Sequence, residues 1–130
     1  MATWADLASY VRANYKISEE RPDRIKLVFD LGDMRSQLVV LWRLTLANDT
    51  EEWVQIESPI GDVNSVDVAR ALKQVSSTVC GGLAQFGDLV TFRHSVPLLN
   101  LNINEFERPL LLVTATADDL ERSLVGGDSY

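Results

Sequence analysis

Cys80 and His94 are the only thiol and the only imidazole among the 130 residues, and a thiolate with a neighbouring base is the sharpest catalytic chemistry such a pair could support. Their surroundings argue against it. Val79 and Gly81 flank the cysteine and bring no cation to lower its pKa. His94 shares strand parity with Val90 and Phe92, which places it on an apolar face. A triad also needs a third group to orient the base, and the sequence marks none. Both residues are expected to be structural, and no catalytic residue is assigned. Zinc takes three or four protein ligands, more than one Cys and one His supply, so neither a metal site nor a cofactor is expected.

Asp118, Asp119 and Glu121 form a carboxylate cluster of the kind that attracts divalent cations. Asp118 and Arg122 are also spaced i,i+4, the ordinary ion pair of a solvated helix face, and that reading is preferred. Gly81-Gly82 and Gly126-Gly127-Asp128 lack the lysine of a phosphate loop and the spacing of a dinucleotide fingerprint. They read as a turn and a helix cap. With 19 carboxylates against 12 Lys and Arg the net charge is -7, which repels nucleic acid and anionic membranes. The basic residues stand singly, without the clustering a phosphate track requires. Nucleic acid and membrane are therefore excluded as expected partners, and basic or apolar ones are favoured. The longest apolar run, Leu38 to Trp42, falls far short of the roughly 18 residues of a membrane span. Trp4 and Asp6 do not fit a signal peptide. A single cysteine forms no internal disulfide, so the expected location is cytoplasmic.

The elements that must hold these side chains follow from hydrophobic period, and residues 1–130 read as one domain. Trp4, Leu7, Ala8, Val11 and Tyr15 share a helical face, capped by Thr3 with Asp6 in the first turn. Lys16 to Asp23, with Pro22, is expected to be a loop. Period two then takes over, with Ile25, Leu27, Phe29 and Leu31 on one face of a strand ending at Gly32-Asp33. A second strand, about Ser36 to Leu46, puts Leu38, Val40, Trp42, Leu44 and Leu46 on one side and Val39, Leu41, Arg43 and Thr45 on the other. Asn48-Asp49 turns it into a third, Trp53 to Glu57, which Ser58-Pro59 is expected to close.

A second helix capped by Asn64 or Ser65 carries Val66, Ala69, Leu72 and Val75 inward, and a second hairpin runs from Leu83 to Phe86 and from Leu89 to Val96. The last helix has the cleanest stripe: Ile103, Phe106, Leu110, Val113, Ala117, Leu120 and Leu124, capped by Asn102 with Glu105 and ended by Gly126. Pro109 predicts a kink or a later start. The order is α-βββ-α-ββ-α, an α+β domain with an antiparallel sheet packed by helices.

This plan leaves apolar surface over. Val39 and Leu41 load the second sheet face, and Leu111, Leu112 and Val113 widen the last helix's apolar arc beyond one seam. Monomers avoid exposing patches of that size, which predicts a homodimer contact or a peptide groove. Val39, Leu41, Trp42 and Trp53 are the candidate client contacts, and Leu111 and Leu112 the candidate dimer contacts.

Several short segments carry a family likeness: the Trp4 to Tyr15 helix, Arg35-Ser36-Gln37 leading into the second strand, Ile56 to Gly61, Gly82-Leu83, and Ala117-Asp118-Asp119-Leu120-Glu121. Through them the chain resembles the type III secretion chaperone-like fold, which includes the Tir-chaperone type and the YbjN-like bacterial proteins. The Arg-Ser-Gln element is closer to the YbjN-like branch. The resemblance implies a homodimer, a helix-and-sheet sandwich and no catalytic site. It also implies binding of extended client segments in apolar grooves or along the sheet, or, in the YbjN-like branch, a stress or regulatory role. The expected function is a non-catalytic, chaperone-like or regulatory module that binds an extended or apolar segment of a client protein. A small-ligand sensor with an apolar pocket is the alternative.

Overall fold

The computed structural model describes residues 1–124, so the expected cap at Gly126 lies outside the described residues. The elements run α1 (Trp4–Asn14), β1 (Ile17–Arg21), β2 (Arg24–Gly32), β3 (Arg35–Leu46), β4 (Glu51–Asp62), α2 (Val68–Val75), β5 (Gly82–Phe86), β6 (Leu89–Pro97) and α3 (Ile103–Leu124). The strands form one antiparallel sheet in the order β1-β2-β3-β4-β6-β5. The protein is an α+β domain with one strand more than the sequence pattern predicts.

That strand is β1, in the segment expected to be a loop. Pro22 does rule out a helix there, but it sits in the turn between β1 and β2, where it interrupts no ladder. Ser18 to Arg21 carries no apolar alternation because an edge strand is kept polar. Strand β4 does not close at Ser58-Pro59 either. It runs on to Asp62 through a register shift between Pro59 and Gly61, and bulges are where a sheet tolerates proline. Helix α2 is capped by Asp67, whose side chain accepts the Arg70 N–H at 3.1 Å. The cap's position brings Ala71 inward and leaves Ala69 and Leu72 outside.

Helix α1 starts as expected, with Thr3 and Asp6 exchanging side-chain-to-backbone hydrogen bonds, each 3.2 Å. Asn102 and Glu105 make the same reciprocal cap for α3, at 3.0 and 2.8 Å. That cap explains why α3 begins at Ile103, not after Pro109: the first turn is held at its end, and buried Phe106 and Leu110 anchor both sides of the proline.

One hydrophobic core gathers Trp4, Leu7, Ala8 and Val11 from α1, Phe106, Leu110, Val113, Ala117 and Leu120 from α3, and Val66 and Ala71 beside them. The sheet contributes Ile25, Leu27, Val39, Leu41, Val54, Ile56 and Phe92. These strand residues share one parity, because Ile25 pairs with Leu41 and Leu27 with Val39, and Leu41 pairs with Ile56. All three helices therefore cover the same face. Polar ties fix them to it. Arg35, at the start of β3, bonds the Asp118 carboxylate of α3, and fully buried Gln37 donates to Ser58 Oγ at 2.8 Å and to the Pro59 carbonyl at 3.0 Å. Asp118 and Glu121 are thus buried side chains and not members of a solvated face, although the expected Asp118–Arg122 pair is present at 3.4 Å.

Helices α1 and α3 are also joined by one carboxylate. Glu107 Oε2 accepts the Tyr10 hydroxyl at 2.6 Å and the Tyr15 hydroxyl as well. The two hydroxyls hold the Glu107 carboxyl below the usual carboxylate range, while the Tyr10 phenol is raised by that bond and the Tyr15 phenol by burial and the same bond. A depressed carboxylate stabilises the fold above its unfolded pKa of about 4.3 and loses that contribution as pH falls below it. A raised phenol contributes below about pH 10 and loses its contribution above. Glu107→Gln is expected to lower the melting temperature at pH 7 and to flatten its fall at both acidic and strongly alkaline pH, measured by circular dichroism across the pH range.

Candidate functional site

The face of the sheet turned away from the helices is uncovered among the described residues, and its chemistry is unusual for an exposed surface. Parity sets its membership: Arg24 pairs with Trp42, Lys26 with Val40 and Val28 with Leu38. Glu57 lies opposite Val40 and Arg93, and Pro59 opposite Thr91. Val40 is buried without belonging to the helix-side core. Neighbouring side chains on this face bury it.

A groove crosses this face. Its larger hollow, about 450 Å³, is walled by Leu38, Val40, Trp42, Pro59, Phe86 and Leu89, with Glu57 and Thr91 in the floor and Arg24 and Lys26 at one end. A second hollow of about 240 Å³ shares Trp42, Glu57 and Phe86 with the first and adds Leu44, Gln55 and Arg93. The two form one trough drawn from five strands, and at roughly 4.8 Å between strands it spans about 19 Å. Phe86, at the tip of the β5–β6 hairpin, is 68 % exposed and stands over both hollows. A lone phenyl ring in water is ordinary, but one beside Trp42, Leu44 and Leu89 makes a patch.

The polar floor is organised. Glu57 is only 8 % exposed. Its Oε1 accepts the Trp42 indole N–H at 3.0 Å and its Oε2 accepts the Thr91 hydroxyl at 2.9 Å, which compensates much of the cost of burying a charge. The indole is thereby locked in orientation. Its face is covered by the Arg24 guanidinium, 5.7 Å from the ring centroid.

Of the residues expected to contact a client, Trp42 is central to this groove, and Trp53 is half-buried on the same face with its indole bonded to Glu51 at 2.7 Å. Val39 and Leu41 are not available: both are fully buried against the helices. The expectation inverted the two faces of β3. Both faces of that strand are apolar, and alternation alone does not say which one the helices take. Leu38, Val40 and Leu44 hold the places assigned to Val39 and Leu41. Leu111 is 47 % exposed on α3, and Leu112 is half-buried beside it. Glu57, Phe86 and Leu89 had no distinguishing signal in the sequence, since their meeting depends on how the β5–β6 hairpin lies against β4.

Cys80 and His94 line one separate cleft of about 480 Å³ with Gln55, Gly81, Arg93 and Ser95. His94 Nδ1 accepts the Gly81 N–H at 3.0 Å, so Nε2 carries the proton in the neutral ring. Burial pushes the Cys80 thiol up, away from the thiolate that nucleophilic chemistry uses. Among the described residues no group of three or more His, Cys, Asp or Glu side chains could hold a metal ion, and no helix is long and apolar enough to cross a membrane. No protein-family model matches the chain, and no curated protein does.

Two outcomes are expected. Alkylation of Cys80 by iodoacetamide should show a pH midpoint above the roughly 8.5 of a free thiol; a midpoint below 8 would revive it as a nucleophile. Gly81 has φ +88°, and a Cβ there would come within 2.5 Å of the buried Phe92 ring. Gly81→Ala should therefore destabilise the fold by roughly 1–3 kcal/mol in urea unfolding.

Proposed function

We propose that the protein is a non-catalytic binding module, chaperone-like or regulatory, that docks an extended or apolar segment of a client polypeptide in the trough on its uncovered sheet face. The observation that carries this reading is the trough itself. Its aromatic and aliphatic walls offer burial worth about 25 cal/mol per Å², and its two hollows on either side of Trp42, Glu57 and Phe86 suit successive side chains of one extended segment. The reading agrees with the resemblance to the secretion-chaperone-like fold, closer to the YbjN-like branch, and with a cytoplasmic protein. A homodimer using Leu111 and Leu112 belongs to the same proposal, since Leu111 stands on the outer side of α3, away from the trough. The alternative, a small-ligand sensor, draws on the hollow of about 450 Å³, within the usual range of about 300–1,000 Å³ for ligand sites. The trough's length across five strands favours a polypeptide.

Two measurements test this. A permanently unfolded probe, a reduced and carboxymethylated globular protein, should bind in a calorimetric titration, and Phe86→Ser should weaken it by about tenfold or more, as loss of an interface anchor does. Equal binding by the variant would remove the trough from the function. Leu111→Glu should halve the mass measured by light scattering with unchanged circular dichroism, and a wild-type protein already monomeric at high micromolar concentration would end the dimer proposal.

A further inference from the structure

The trough's local charge runs against that of the chain. The chain carries -7 overall, yet Arg24 and Lys26 close one end of the trough and Arg93 borders the other. These cations are incompletely matched. Glu19 alone serves Arg21 at 3.4 Å, Arg24 at 3.4 Å and Lys26 at 3.9 Å. Burial acts to raise the Glu19 carboxyl, but the three cations outweigh it and hold it below the usual range. Asp23, on the turn, takes Arg24 at 3.1 Å. At the other end Arg93 donates to the neutral Gln55 Oε1 at 3.4 Å and reaches only at 3.9 Å the Glu57 carboxylate, whose two oxygens already accept bonds from Trp42 and Thr91. Of the charged side chains that line the trough, Arg24, Lys26 and Arg93 are cationic and Glu57 alone is anionic, and that carboxylate is nearly dehydrated beneath the trough.

A cationic ligand would meet three positive rim residues and a Trp42 face already covered by Arg24. An anionic one would give Lys26 and Arg93 a close anionic partner, where each now has a carboxylate only at 3.9 Å. Building on the docking role of the trough, we infer that its occupant is a polypeptide segment in which apolar side chains are flanked by carboxylates, with acidic groups at the Lys26 end and the Arg93 end. The basic partners favoured by net charge alone are selected against at this site. Complementarity of this kind governs choice of partner and register more than raw affinity, and salt screens it.

Three end-capped peptides with one Leu-Phe-Leu centre, flanked on both sides by Asp, Lys or Ser, test the inference by calorimetry at low and high salt. The Asp-flanked peptide should bind about tenfold tighter than the Lys-flanked one at 25 mM NaCl, with the ratio falling toward one at 300 mM. Lys26→Glu combined with Arg93→Glu should reverse the order. A tighter Lys-flanked peptide, or an order indifferent to salt and to those substitutions, overturns the charge inference. If all three bind equally and all weaken with Phe86→Ser, the trough remains a docking site and only the charge preference falls; if none binds, the docking role falls with it.

Discussion

Helix α3 lies along β3, β4 and β6 and buries Phe106, Leu110, Val113, Ala117 and Leu120 on the side where α1 brings Trp4, Leu7 and Val11. A six-stranded sheet exposes two faces, and the three helices among the described residues all lie on one of them. The other face must meet water with whatever side chains opposite parity supplies, which on β3 are Leu38, Val40, Trp42 and Leu44. A polar face would have completed a conventional two-layer domain. The apolar one here turns a packing choice into a surface with binding chemistry.

The polar side chains that a function-first reading would single out mostly serve this one-sided arrangement. Arg35, Gln37 and Asp118 link the start of β3 to α3 and to β4. Glu107 draws Tyr10 and Tyr15 together between α1 and α3, and the Tyr10 ring meets Phe106 edge-on at 6.5 Å. Burial of ions and amides in this way limits the helices to few alternative positions, because each alternative leaves a polar group unpaired. Glu57 belongs to a different set. It too is buried and bonded, but its ties lie on the open face, where they orient Trp42 and shape the trough.

Much of the architecture was legible because hydrophobic period and capping chemistry are local. Helices α1 and α3 follow from their stripes and from the reciprocal bonds of Thr3 with Asp6 and Asn102 with Glu105. Strands β2, β3, β5 and β6 follow from alternation. What stayed hidden has equally specific causes. Edge strand β1 has no buried alternation to display, β4 passes a proline at a register shift, and the acidic residues of α3 look solvated until Arg35, 83 positions away, meets Asp118. The candidate site was less legible than the fold. Of the named client contacts, only Trp42 and Trp53 lie on the uncovered face, and Phe86 and Leu89 look like ordinary hairpin residues in the sequence.

The sequence by itself determined the α+β class, the order of its main elements, the excess of apolar side chains and the poverty of nucleophiles and metal ligands, because each depends on neighbours within a few positions or on composition alone. Tertiary structure decided which face of β3 is buried, that Cys80 and His94 line one cleft, and that Phe86, Trp42 and Glu57 share one trough. Those outcomes depend on strand register and on the side of the sheet that the helices occupy. Two apolar faces of one strand look alike until a helix lies against one of them.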